Sequence, residues 1–317
     1  MIENKVIRFV KNWTLPLAML VGVFVYLAFA HLTPLQVIKP YVKEIDIFLT
    51  PSLIFVQLLL TFCKVNPRDF RFRGWHFILL GFQLFCSLIC ALVCIFYDFH
   101  PLLAQGAMVC LICPTATAAA VITAKLGGCA ETLITYTFLV NILAAIFVPL
   151  VFPLVYEQEL LSFWMAFWII LRKVFPLLIC PFLLAQILRW LLPSVHGWLR
   201  SHASLAFYIW AIALAMVMGK TAKSIVDDSE QLHIVVLLAL VSLCCCIVQF
   251  AFGKRIGSYY GDRLSAGQAI GQKNTVLAIW MAYTYLPPIT SVAPGAYVLW
   301  QNIINSWQLW KKRKRES

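Results

Sequence analysis

Charge is what this sequence has least of. Only 12% of its 317 residues are Asp, Glu, Lys or Arg, where a soluble globular chain carries roughly a quarter. By contrast, 62% are hydrophobic. They fall in long unbroken runs without the alternation of a half-buried strand or an amphipathic helix, which a bilayer accommodates and a soluble core does not. No run has an Asp or Glu at its centre, no His pair stands at ligand spacing, and no nucleophile has a base beside it. These absences weigh against a membrane enzyme. A Schiff base on Lys273 would be the remaining chemistry, and nothing else in the chain supports it. The eleven cysteines show neither zinc-site nor disulfide-framework spacing, so neither a metal nor a covalent staple is expected. Nearly all lie in apolar runs, with Cys86, Cys90 and Cys94 on one helix face and Cys244, Cys245 and Cys246 consecutive. There a thiol serves as a small packing residue.

What is present is ten apolar runs: 13–31, 46–63, 74–97, 102–126, 131–156, 174–192, 203–221, 231–253, 264–286 and 290–310. A further apolar segment, 159–173, carries Trp164 and Trp168 and ends in Arg172-Lys173. It reads as a helix lying at the interface and leading into the sixth span. The net charge of +12 does not imply nucleic acid, because the basic residues form no face or groove and sit in the links, as topology signals do. With the N-terminus cytoplasmic, eighteen Lys and Arg fall inside and six outside, and the one remaining, Lys273, lies near the centre of a span. The inside set ends in the tail Lys311, Lys312, Arg313, Lys314, Arg315, whose counter-charge is anionic lipid. The bias predicts an even span number and both termini on the cytoplasmic side of the cell membrane. Glu157, Glu159, Asp227, Asp228 and Glu230 fall outside. Lys5, Arg8 and Lys11 precede an apolar stretch ending in Ala28-Phe29-Ala30, which mimics a signal peptide but is long for one, so the stretch is read as the retained first span.

Ten spans divide into five plus five, residues 1–158 and 159–317, and an odd number per half turns the second half upside down. The expected fold is therefore all-α, with ten transmembrane helices as two inverted five-helix repeats and the binding site at their interface. The fourth span of each half is unusual in the same way. Span 4 has Pro114 near its centre, which removes a backbone donor and opens the helix, with the hydroxyls of Thr115 and Thr117 beside it. Span 9 has Gly267 and Gly271 among Gln268, Gln272, Lys273, Asn274 and Thr275. A lysine in lipid costs about 2.5–3.5 kcal/mol, so Lys273 must face protein or water. Pro114 as a tolerated kink, the glycines as packing points and Lys273 as a snorkelling side chain are the bland alternatives. Their joint occurrence at matching positions favours two broken helices that cross and aim four helix ends at one point. The N-terminal ends suit an anionic group and the C-terminal carbonyls a cation.

These residues resemble the bile acid:sodium symporter family. The resemblance follows span order over nearly the whole chain. It rests on Cys113-Pro114…Thr117-Ala118…Val121-Ile122-Thr123, on Gly271-x-x-Asn274-x-x-Leu277-Ala278, and on Leu60-Thr61 to Pro67-x-Asp69-Phe70 with Gln83 following. It implies a panel domain of spans 1, 2, 6 and 7, a core domain of spans 3–5 and 8–10, and uptake of organic anions with two sodium ions by alternating access. Thr117 and Asn274 match substrate-contacting positions, Thr137 a first-site sodium ligand and Gln83 a second-site one. The departures are pointed. Ala119 and Ala120 stand where relatives carry a Ser-Asn pair. Ala269, with Gln268 adjacent, stands where they carry a glutamate. Lys273 replaces a glutamine.

The reading is a secondary carrier for a small organic anion in the lipid bilayer, with substrate contacts from Thr115, Thr117, Asn274 and Thr275. Lys273, Gln83, Thr137, Gln268 and Gln272 form the cation or coupling site. The Lys273 ammonium would replace a bound sodium, leaving proton coupling or no coupling, or else would pair directly with the substrate. No resident cofactor, metal or nucleic acid is expected, and protein partners are unspecified. The alternatives are a sodium-dependent symporter with a rebuilt site, a carrier of arsenite using Cys113 as thiolate, and a non-transporting ligand sensor. No soluble signalling domain occurs within these residues to support the last. Gly219, Pro287 and Pro288 read as loop punctuation in preference to hinges.

Overall fold

Long apolar runs without charge form helices because in lipid every backbone N–H and C=O must be satisfied within the chain. The computed structural model describes residues 5–32, 37, 39–97, 101–156, 161–227 and 232–316. Over these the protein is all-helical, with no strand among the described residues. The helices are α1 (Lys5–His31), α2 (Lys39–Phe62), α3 (Gly74–Phe96), α4 (Pro101–Ile112), α5 (Ala119–Leu126), α6 (Ala130–Val155) and α7 (Phe163–Leu191). They continue with α8 (Pro193–Ser201), α9 (Leu205–Asp227), α10 (Leu232–Tyr259), α11 (Arg263–Gly271), α12 (Thr275–Tyr285) and α13 (Val292–Glu316). Short 3-10 turns at Pro67–Asp69 and Pro288–Ser291 lie in the links before α3 and α13.

Among the described residues, six helices are long and apolar enough to cross a membrane: α2, α3, α6, α7, α9 and α10. Their outward faces carry large exposed apolar side chains, among them Phe48, Phe85, Phe96, Trp190 and Ile247, the surface that lipid covers and water would not tolerate. The protein is thus a multi-pass membrane protein.

Two sequence expectations change. The segment 159–173 is not a separate interfacial helix, since from Phe163 it runs without interruption through to Leu191 as α7. Arg172-Lys173 is a charged pair and not a breaker, the helix accommodates Pro176 and Pro181 in its interior, and the Ser162 side chain caps the start by accepting from Met165 N. The chain instead turns at Leu192, which leaves helical geometry ahead of Pro193, as a residue before proline does. The amphipathic α8 that follows was not anticipated. Glu157, Glu159, Asp228, Glu230 and the 158/159 boundary of the two expected halves lie outside the described residues.

Packing falls into two neighbourhoods. In one, α1 packs on α9, α9 on α2, and α2 on α7. In the other, α3 packs on α4, α4 on α10, and α10 on α11 and α13. Between them, a buried cluster joins Ile54 and Leu58 of α2, Val148 and Phe152 of α6, Leu178 of α7, Val217 of α9, and Ile279 and Met281 of α12. Gly219 lies within α9 and is a packing point, not the loop punctuation expected of it: a Cβ there would sit 3.1 Å from the Gly22 carbonyl oxygen, where α1 and α9 press together.

Candidate functional site

The fourth and ninth apolar runs are each two helices. Proline at 114 ends α4 and the chain re-enters a helix at Ala119. The chain leaves α11 after Gly271 and starts α12 at Thr275. The two unwound segments lie against each other in an antiparallel bridge between Thr115 and Lys273. Ala116 N donates to Gln272 O and Asn274 N to Pro114 O, both at 2.8 Å. Each break therefore satisfies part of the other's exposed backbone, which lipid could not do.

The remaining carbonyls at the two helix ends are met by side chains. At the end of α4, Gln249 Nε2 donates to Cys110 O (3.3 Å), Lys273 Nζ to Leu111 O (2.9 Å), and Gln83 Nε2 to Ile112 O (2.9 Å) and Cys113 O (3.3 Å). At the end of α11, Thr115 Oγ1 donates to Ala269 O (2.5 Å) and Tyr297 OH to Gly271 O (2.9 Å). The Cys113 thiol donates to Asn274 O at 3.0 Å. Lys273 is 1% exposed and its backbone N–H donates to Gln301 Oε1 at 2.8 Å. A helix C-terminus carries about half a negative charge, so the end of α4 is where a buried ammonium is favoured.

The predicted residues divide. Thr115, Lys273 and Gln83 meet at the crossing, and Tyr136 OH holds the Gln83 amide by donating to its Oε1 at 3.0 Å. Asn274 caps α12, its Oδ1 accepting from Leu277 N, and Thr275 begins that helix, its N–H donating to Lys273 O. Gln272 contributes its carbonyl, while its buried Oε1 has no partner among the described residues. Thr117 lies at the open side, accepting from Gln57 Nε2 of α2 at 3.1 Å. Two side chains turn elsewhere. The Thr137 hydroxyl returns to Leu133 O of its own helix, as an isolated threonine in an apolar helix does. Gln268 donates to Asn305 Oδ1 of α13 at 2.9 Å. Sequence reading missed Gln57, Gln249, Tyr136, Tyr297 and Gln301, although a lone glutamine in an apolar run is itself a signal that a buried partner waits.

The half-helices differ in cover. α12 is buried nearly throughout and packs against α9 and α2, whereas α5 packs against α6, α11 and α13. Ala118, Val121, Ala124 and Lys125 of that stretch are exposed. The N-terminal end of α5, beside Thr117, is therefore less covered, while the matching end of α12 is closed by Asn274.

An all-helical, multi-pass membrane protein in which two interrupted helices meet at a buried polar crossing belongs to the class of membrane transporters. Residues 1–304 match the SBF-like CPA transporter family (DUF4137), and the chain belongs to that family, related to the bile acid:sodium symporters. No curated protein matches the chain.

Proposed function

We propose that the protein is a secondary carrier that moves a small organic anion by alternating access, with Lys273 acting as a built-in cation in place of a bound sodium. The observation that carries this reading is the Lys273 ammonium on the Leu111 carbonyl at the C-terminal end of α4. There a bound cation would find freed carbonyls. Among the described residues each Asp and Glu lies in a link or toward a helix end, and none of them pairs with the ammonium. A hard cation wants several oxygen ligands and gains from a carboxylate among them. Here the carbonyls are already occupied by amide, hydroxyl and ammonium donors.

The ten-span, inverted-repeat arrangement is part of this proposal. It is supported by the reciprocity of the crossing: Lys273 reaches the carbonyl four residues before Thr115, and Thr115 reaches the carbonyl four residues before Lys273. A glutamine and a tyrosine hydrogen-bond on each side, Gln83 with Tyr136 and Gln249 with Tyr297. The panel (spans 1, 2, 6, 7) then corresponds to α1, α2, α7 and α9, and the core to the remaining long helices and half-helices. The substrate's anionic group would meet the α5 N-terminus, Thr117 and Gln57, with Asn274 and Thr275 behind them. Because α12 is packed on α2 and α9 while α5 is not, the conformation corresponds to access from the α5 side. That side is the cytoplasmic one under the proposed orientation, with both termini in the cytoplasm.

Uptake of a labelled organic-anion panel into proteoliposomes, with sodium and pH gradients imposed separately, tests the reading. Uptake indifferent to sodium supports it. Sodium-dependent uptake would overturn the role of Lys273 and favour the second reading, a cation site rebuilt from the unpartnered buried oxygens Gln272 Oε1, Gln57 Oε1 and Asn141 Oδ1. Ligand binding with no flux for any of the panel would mark a sensor.

A further inference from the structure

Away from the crossing, the link between α2 and α3 folds against the end of α7 around a cavity of about 400 Å³ lined by Asn66, Pro67, Arg68, Gln186, Arg189 and Trp190. Its polar groups are unevenly used. The acceptors are occupied: Asn66 Oδ1 accepts from Arg68 N (3.2 Å) and Arg189 Nη1 (3.0 Å), and Gln186 Oε1 accepts from Arg189 Nη1 (3.4 Å). The donors are not. Gln186 Nε2 is buried without a partner, and neither the Arg68 nor the Arg189 guanidinium is in an ion pair, among the described residues. No carboxylate lines the space. A cavity with two guanidinium groups, a spare amide and no free acceptor selects an anion with several oxygens, and the planar fork of arginine suits a phosphate.

The surroundings say which kind. Trp190 is 83% exposed at the rim, the place an indole takes at a membrane interface. Leu183, Ile187 and Leu191 are exposed one helical turn apart on α7, forming an apolar stripe that leads away from the cavity. A phosphate in the cavity with hydrocarbon along the stripe is the shape of a phospholipid. We propose that this cavity binds the phosphodiester headgroup of an anionic phospholipid, held by Arg68, Arg189 and Gln186, with its acyl chains along α7. Basic pockets at helix ends are known to take such headgroups. The bound lipid would tie the α2–α3 link to α7.

The test uses the purified full-length chain and three probes: phosphatidylglycerol, phosphatidylcholine and inorganic phosphate, each titrated while bound lipid is counted by native mass spectrometry and thermal stability is followed. Phosphatidylglycerol is expected to be retained and to stabilise, and phosphatidylcholine is not. Arg68→Gln, at an exposed position, should weaken retention about fivefold, the effect of one surface charge near anionic lipid. Lys314→Gln in the basic tail should not abolish the stabilisation. Arg189→Lys keeps the charge but loses the fork and should weaken retention as well. Equal retention by wild type, Arg68→Gln and Arg189→Lys overturns the proposal. Stabilisation by inorganic phosphate equal to that by phosphatidylglycerol overturns the lipid assignment. If Arg189→Lys does not fold, Arg68→Gln alone decides.

Discussion

Thr115 and Lys273 face each other across an antiparallel bridge, and each sends its side chain to the helix that the other one's segment continues. A short hydroxyl and a long ammonium thus perform the same act, capping the last carbonyls of a broken helix. The two breaks are held open jointly. Removing either donor leaves a buried carbonyl without a partner, at a cost of about 1–3 kcal/mol.

It follows that Thr115→Val should lower thermal stability in detergent by about that amount. The double variant with Lys273→Met should lose less than the two single losses added, because both act on one bridge. Strict additivity in a double-mutant cycle would show that the two caps are independent.

Gln57 reaches from α2 to Thr117 beside the exposed start of α5. Gln57→Leu is expected to leave stability within about 1 kcal/mol, since the bond is only partly buried, and to raise KM for transported anion. Unchanged transport kinetics would remove Gln57 from the site.

Gly271 ends α11 with the Phe250 ring so close that an added Cβ would stand 2.4 Å from its Cγ. Gly271→Ala should therefore destabilise by about 1–3 kcal/mol through overpacking. Phe250→Leu should restore part of the loss, measured by thermal denaturation, and a failure to rescue would mean that backbone freedom matters here more than space.

On the side where α12 is closed, Lys220 Nζ lies 2.8 Å from Asp46 Oδ2 and 5.7 Å from the Tyr283 ring centroid. The ion pair joins α2 to α9, and the ring contact joins them to α12. Lys220→Ala should weaken this closure. In a background lacking the native cysteines, labelling of Ala118→Cys should fall and labelling of Thr50→Cys should rise. No change in either would mean that the contact does not control access.

His196 of α8 is 6% exposed. Burial, then the nearby Arg189 and Arg200, hold its imidazole below the ordinary 6.5. The folded protein therefore disfavours the charged ring. Its contribution is intact above about pH 6.5 and is lost as the pH falls from there through the depressed value. Melting temperatures between about pH 8 and pH 5 should fall less steeply for His196→Gln than for wild type; identical slopes would exclude His196 as a source of acid sensitivity.

Much of the site was legible because its signals are local. Pro114 and the glycines around 267–271 mark breaks by their own backbone chemistry, and Lys273 stands out as a charge near the centre of an apolar run. Gln83 was flagged, but its partners, Ile112 and Cys113, were not. Gln268 and Thr137 were placed at the site by resemblance and sequence position. The structure turns one toward Asn305 and the other onto its own helix, because a polar side chain in an apolar bundle takes whichever acceptor lies in reach. The continuity of α7 was missed because aromatic and basic residues at an interface read the same way whether or not a helix pauses there.

By itself, the sequence determined the membrane setting, the all-helical class and the positions of the two breaks. Each follows from properties of a single stretch of chain: apolar length, missing charge, a proline without its donor. Only the tertiary structure decided that Lys273 caps Leu111, that Thr115 caps Ala269, and that α5 is open where α12 is closed. A hydrogen bond depends on distance and direction between groups far apart in the chain, and no local pattern encodes which of two helix ends an ammonium will meet.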